Sequence, residues 1–255
     1  MKIAVLVKEV PDLEAQVGIA AGGQALEVEK KRVLNFFDEI AVEAALRVKQ
    51  ALGGAEIYAV SAGHGVGVEA LRRALAMGAD RVVHIDDPAL NGAGPLVVAR
   101  ALAALVEREG YDLVLAGKKS TDDEAGLVGP MVAELLGVPC VQGATRLQII
   151  DGSVSADRET ERGTESVKMA LPAMVTTEKG LYEPRVPQVM GLMKAMKAQV
   201  PKVSLADLGV EANGSLRVRG YHPPKARPPV AMIQGDTAQV VAELVHRLRD
   251  EAKVI

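Results

Sequence analysis

The sequence predicts an α/β protein built on a doubly wound parallel sheet, with a β-rich insertion and an extended C-terminal arm. Three observations lead there. Four apolar runs, KIAVLV (2–7), EIYAVSA (56–62), RVVHID (81–86) and DLVLAG (112–117), are continuous rather than alternating, as in strands covered on both faces. Segments of helical length and period separate them. The resulting order of strand and helix makes a parallel sheet the economical arrangement, which puts ligands at the carboxyl ends of the strands.

The elements follow in chain order. After the first run, residues 14–34 interrupt the alternation, and AAGGQALEVEKKRVL reads as a glycine-turned hairpin. Phe37, Ile40, Ala41, Ala44, Ala45, Val48 and Leu52 then keep helical spacing up to a stop at Gly53-Gly54. A second helix runs from Val68 to Met77 before Gly78, and a third fills roughly 95–109 behind Pro95, a favoured first helical residue. From about 141 to 177 the period shortens to strand-like pieces: TRLQII, a turn at Asp151-Gly152, SVSADRE, ESVKMALP and AMVTTE. A proline-bounded amphipathic helix lies within 183–203. The last fifty residues carry Pro-Pro pairs at 223 and 228, then a helix with Val240, Val241, Leu244, Val245 and Leu248 on one stripe, which reads as an arm rather than core.

Composition narrows the function. At 255 residues and 49% hydrophobic content the chain can bury a full core. Its 30 basic and 33 acidic residues leave a formal charge of −3, with no general pull toward nucleic acid or anionic membranes. The 2% aromatic content, with no tryptophan, argues against stacking platforms for single strands. Cys140, the single cysteine, lies among Val138, Pro139 and Val141 and reads as a small buried hydrophobe rather than a nucleophile. The first apolar run is too short for a signal peptide, and none approaches the roughly 18 residues of a membrane span. A soluble, cytoplasmic protein without membrane insertion is expected.

Familiar catalytic motifs are missing. Gly63 and Gly65 open a dinucleotide-like turn, but Val68 stands where the third glycine belongs, so a tight strand-to-helix turn explains them. There is no P-loop, no GxSxG and no SxxK. His64, His84, His222 and His246 lack ligand-spaced companions, and Asp122, Asp123 and Glu124 read as the acidic start of a helix before they read as a metal site. No catalytic or metal-ligating residue is assigned. LVLAGKKSTDDEAGLVGP (113–130) is more informative, because it passes from a strand through a glycine-containing loop into a helix. Backbone N–H groups there can hold a phosphate without a P-loop lysine. Met190, Met193 and Met196 recur every three residues beside Lys194, Lys197 and Lys202, a pattern equally suited to a core helix with a basic edge and to an adaptable partner surface.

Several stretches together resemble one family. NFFDEIAVEAALRVK (35–49), ALAMGADRVVHID (74–86), GKKSTDDEAGLVGP (117–130), DRETERGTESVKMALPAMVTTE (157–178), EPRVPQVMGLMKAMKAQV (183–200) and ADLGV (206–210) are similar to the β subunit of electron transfer flavoproteins. Phe36 replaces that family's proline and Lys119 its glutamine. The resemblance implies an adenine-nucleotide-binding, Rossmann-like fold and an electron carrier rather than an enzyme. An α subunit would hold FAD in a heterodimer, and AMP would sit in this chain as a structural nucleotide. Its phosphate would be wrapped by Gly117, Lys118, Lys119, Ser120, Thr121, Asp122, Asp123, Glu124, Ala125, Gly126, Leu127 and Val128, with the acids facing away or capping the helix. Leu6, Asn35, Phe36, Phe37, Asp38 and Ala62 would enclose the rest.

The same resemblance makes Val189 an apolar anchor for dehydrogenases, with Met190, Leu192, Met193 and Met196 around it. It gives Glu165 the task of orienting the flavin domain of the α subunit, and it places Lys8 near the subunit contact. Electrons would pass from acyl-CoA dehydrogenases to FAD and on to a membrane quinone oxidoreductase. The chain would divide into a nucleotide-binding domain over 1–182, including the β-rich segment 141–177, a partner-recognition loop and helix over 183–203, and an arm over 204–255 packing on the α subunit. Two alternatives remain open. One is a bifurcating relative with FAD in place of AMP, suggested by Val128-Gly129-Pro130 but lacking that branch's preceding motif at Glu124-Ala125-Gly126-Leu127; the other is a stand-alone adenine-nucleotide-binding regulator, for which the arm has no use.

Overall fold

The computed structural model describes residues 1–213, 216 and 218–255. The elements are β1 (Lys2–Leu6), β2 (Glu9–Pro11), β3 (Val17–Ile19), β4 (Leu26–Val28), β5 (Arg32–Leu34), α1 (Phe36–Ala51), β6 (Glu56–Ala62), α2 (Val68–Met77), β7 (Arg81–Ile85), α3 (Pro95–Glu109), β8 (Leu113–Gly117), α4 (Val128–Leu136), β9 (Cys140–Ile150), β10 (Ser153–Thr160), β11 (Gly163–Ala170), β12 (Ala173–Thr177), α5 (Val189–Lys197), β13 (Lys202–Val203) and α6 (Thr237–His246). The strands lie in the order β11-β10-β9-β12-β8-β1-β6-β7-β13. From β9 to β13 every pair is parallel, whereas β10 and β11 extend the sheet antiparallel. This is the expected doubly wound Rossmann-like sheet. The chain leaves β1 toward β6 and β7, then returns to β8 on β1's other side, so the topological switch point lies between β1 and β8.

Helices on both faces explain the continuous apolar runs. Ile3 and Val5 join the core formed with α1 and α2, whereas Ala4 and Leu6 join the one formed with α3 and α4. Ile3, Ala4 and Val5 have no exposed surface at all. Fully burying side chains of this size is worth roughly 1.5–3 kcal/mol each for valine and isoleucine, so burial on both faces anchors this strand in the core.

The interruption at 14–34 contains the expected hairpin, β3 with β4, and its last strand, β5, forms an unforeseen antiparallel ladder with β2, which precedes it. In the β-rich segment, β9 begins parallel to β12 and ends antiparallel to β10 through a turn at Asp151 and Gly152, both at positive φ (50° and 69°). Cys140 departs from expectation: it is exposed, because strand alternation turns Val141 into the core and leaves its neighbour facing outward.

The chain forms two compact units, Met1–Gly220 and Tyr221–Ile255. The second contains α6, opened by a reciprocal capping box between Asp236 and Gln239, and Val241, Leu244 and Val245 of its apolar stripe are exposed.

Candidate functional site

At the switch point, the first turn of α1 ties the ends of two strands together. The Asp38 carboxylate accepts the backbone N–H of Lys8, just beyond β1, at 2.7 Å and that of Gly117, the last residue of β8, at 2.9 Å. Burial pushes the Asp38 pKa up to about 7, against the pull of those N–H bonds. Gly117 has no room for a side chain, since a Cβ there would stand 2.6 Å from the Cβ of Phe37. Asn35, immediately before α1, reaches the loop that follows β8: its Nδ2 donates to the carbonyl of Lys119 at 2.9 Å and its Oδ1 accepts from the N–H of Thr121 at 3.2 Å.

The acids of that loop neither cap α4, which starts later, at Val128, with no side-chain cap, nor all face away, since Asp122 and Asp123 line the cleft described below. They fold into a turn of their own. Glu124 N–H donates to the Ser120 carbonyl, and the Asp123 carboxylate accepts from Ser120 Oγ at 2.8 Å and from the Ala125 N–H at 3.0 Å. Lys8 Nζ offsets part of the turn's charge, reaching Asp122 at 2.8 Å and Asp123 at 3.1 Å. Burial raises the Asp123 pKa, but the Ala125 N–H, Ser120 and Lys8 outweigh it and hold the carboxyl below its usual value. Lys119 pairs with Glu124 at 2.9 Å and Lys118 with Glu178 at 2.5 Å.

The result is a cleft of about 470 Å³ at the carboxyl ends of the strands, within the range of roughly 300–1,000 Å³ typical of small-molecule sites. Fourteen of the expected residues line it: Leu6, Asn35, Asp38, Ala62, Gly117, Lys118, Lys119, Ser120, Asp122, Asp123, Ala125, Gly126, Leu127 and Val128. Four lie outside the lining. Phe36 and Phe37 stack edge to face at 5.4 Å, with Phe36 packed on the core, Thr121 is bound by Asn35, and Glu124 turns to Lys119. The sequence reading missed Glu9, His64, Leu90, Asn91, Val98 and Leu102, which also line the cleft.

Glu9 has a distinct task. Its carboxylate accepts from the N–H groups of Gly67 at 2.8 Å and Glu69 at 3.0 Å, filling the start of α2. The starts of α3 and α4 also border the cleft and have no side-chain cap. Prolines reduce the donors there, since Pro95 opens α3 and Pro130 lies in the first turn of α4. Leu96 in α3 and Val128 and Gly129 in α4 keep N–H groups without intrahelical acceptors at the positive end of each helix dipole, so the cleft favours an anion chiefly beside α4.

Outside the cleft, α5 answers the question left open by its methionines. Val189 (72%), Met190 (82%), Met193 (54%) and Met196 (66%) are exposed, as is Leu192, whereas Ala195 is buried. Gly191 rests directly on α2: a Cβ there would lie 2.8 Å from the carbonyl oxygen of Ala76. Glu165 stands on the edge strand β11, paired across to Arg158 at 2.5 Å. No helix among the described residues is long and apolar enough to cross a membrane, and no group of three or more His, Cys, Asp and Glu residues among them could hold a metal ion.

Fold and site together define a Rossmann-like α/β protein with an anion-favouring cleft at its switch point. Comparison with known proteins makes this specific. The electron transfer flavoprotein domain model matches residues 23–208. The chain is 36% identical over 256 residues to the electron transfer flavoprotein subunit beta of Bradyrhizobium diazoefficiens, covering 100% of both chains. It is 35% identical over 260 residues to that of Bacillus subtilis, again with full coverage, and 35% identical over 257 residues to that of Sus scrofa, covering 100% of this chain and 99% of the other. The chain belongs to the electron transfer flavoprotein family, on its β-subunit side.

Proposed function

We propose that this chain is the β subunit of a heterodimeric electron carrier, holding AMP as a structural nucleotide in the switch-point cleft while an α subunit carries most of the contacts to FAD. FAD, when bound in the heterodimer, supplies the electron-accepting and electron-donating chemistry. This chain contributes no acid–base step: it braces, docks and excludes water. We further propose that it works in the cytoplasm, receives electrons from acyl-CoA dehydrogenases through Val189, Met190, Leu192, Met193 and Met196, and delivers them to a quinone oxidoreductase, with Glu165 steering the α subunit's flavin domain.

The observation that carries the nucleotide reading is the uncapped start of α4 beside a loop whose acids are each paired to a lysine, Asp122 and Asp123 to Lys8 and Glu124 to Lys119. That arrangement lessens the repulsion the three carboxyl groups would otherwise exert on a phosphate and leaves the N–H groups of Val128 and Gly129 to attract it. Asn35 and Asp38 hold the loop from below, so it is organised before any ligand arrives. Denaturing the purified heterodimer and identifying the released small molecules by mass spectrometry tests the proposal. One AMP and one FAD per heterodimer are expected; two FAD and no AMP would establish the bifurcating alternative instead.

A further inference from the structure

The stretch between β12 and α5 has no helix or strand to hold it, yet it delivers the exposed helix in a defined pose. A buried carboxylate does the holding. Glu43, in the middle of α1, has no exposed surface. Its Oε2 accepts from Arg185 Nε at 2.6 Å and from the Arg185 backbone N–H at 3.3 Å; its Oε1 accepts from Arg185 Nη2 at 2.9 Å and from Arg47 Nε at 2.7 Å. Burial raises the Glu43 pKa, but the two guanidinium groups outweigh it and hold the carboxyl below its usual value. Arg47 also lies over the ring of Tyr182 at 5.8 Å, so α1 grips this stretch at both 182 and 185.

Four residues after Arg185 comes Val189. On the far side of α5, β13 pairs with β7, and Lys202 Nζ meets Asp86 at 2.7 Å. Between these ends the helix stands on α2 through Gly191 and the buried Ala195. Small residues let a helix approach closely but interlock little with what lies beneath. The orientation of α5 therefore depends on how its ends are tied, and the entry end is tied by charge-assisted, two-pronged hydrogen bonds with strict angular demands.

We propose that Glu43 is a positioning residue for the docking helix, acting through Arg185 to set the pose in which Val189 and the methionines meet a redox partner. This rests on the reading of α5 as a docking surface. Glu43 itself has no exposed surface and lies outside the cleft lining, so it acts through Arg185.

The test uses the intact heterodimer carrying Glu43→Gln, Arg185→Lys or both. Hydrogen–deuterium exchange should quicken on the order of tenfold at amides 186–198, with β1 and β8 unchanged. With a purified acyl-CoA dehydrogenase as donor, KM for the heterodimer should rise several-fold while kcat stays within about twofold, and the double variant should be no worse than the weaker single one, because the pair acts as a unit. Unchanged exchange at 186–198, or faster exchange spread over the whole chain, overturns the proposal. Should Glu43→Gln fail to fold, Arg185→Lys carries the test, since Arg185 is partly exposed and its loss leaves Glu43 paired with Arg47. Val189→Ala separates the two readings. If it leaves transfer unchanged while Glu43→Gln both loosens the segment and raises KM, Val189 is not the anchor and the positioning role survives through the rest of α5; if it slows transfer while Glu43→Gln alters neither exchange nor KM, the positioning role is wrong.

Discussion

Gly117 shows how tightly single residues are specified around the cleft. Its Cα sits against Phe37 and Asp38, so Gly117→Ala forces the β8 end away from α1. We expect the variant to lose about 1–3 kcal/mol in urea denaturation, the range of an overpacked core site, and to purify with less nucleotide than the wild type. The sequence shows a glycine between strand and loop; it does not show that Asp38, 79 residues earlier, needs the space. His84 is a second such residue. It is buried with the backbone of Val66 and Gly63 beside its ring, and burial outweighs them and pushes its pKa below the usual value. A base whose pKa is lowered on folding adds stability above its unfolded pKa, about 6.5, and that stability is lost as pH falls through the lowered value. Asp38 has the opposite sign over an overlapping window: raised to about 7, it contributes stability at low pH that is lost as pH rises through 7. The comparison that isolates His84 is therefore a difference. The wild type should lose stability relative to His84→Leu as pH is lowered from 7 to 5, followed by denaturation midpoints; parallel curves would show that His84 does not titrate there.

Among the elements, the loop from 117 to 128 was found by its place after a strand, but its acids were read as a helix start. The local pattern favours that reading, because acids do gather in first helical turns. What overrides it is Lys8, more than a hundred residues away, which draws Asp122 and Asp123 into a separate turn. Lys8→Met should weaken nucleotide retention by exposing the phosphate to two uncompensated carboxylates. The loss should shrink in 1 M salt, where the screening length falls to about 3 Å, and equilibrium dialysis at two salt concentrations checks both statements. The Glu9 cap on α2 escaped notice for the same reason, since Glu9 and Gly67 are 58 residues apart and neither carries a local sign of the other. The helices and central strands were legible because their signal is periodic: α3 spans Pro95–Glu109, as its first proline and apolar spacing imply. The short ladder of β2 with β5 has no period to detect and depends on pairing alone.

Across the whole molecule, the division into Met1–Gly220 and Tyr221–Ile255 has a direct consequence. All nine strands of the large sheet and the lining of the cleft belong to the first unit. A chain ending at Gly220 should fold with a thermal midpoint close to that of the full chain, yet fail to hold the α subunit on a sizing column if the arm packs there as proposed. A truncated chain that retained the subunit would remove the arm from the interface. The parallel sheet was legible as a class, because both-face burial leaves a compositional trace in each strand. The hybrid pairing of β9 left none, since neighbours in a sheet are chosen by topology. One contact described above reaches further than its size suggests. With Gly191 seated on the main chain of Ala76, α5 cannot move closer to α2, although the contact does not stop it turning or sliding along that helix. Under the docking reading proposed above, exchanging the outward side chains at Val189, Met190, Leu192, Met193 and Met196 one at a time would retune partner choice without disturbing that seat.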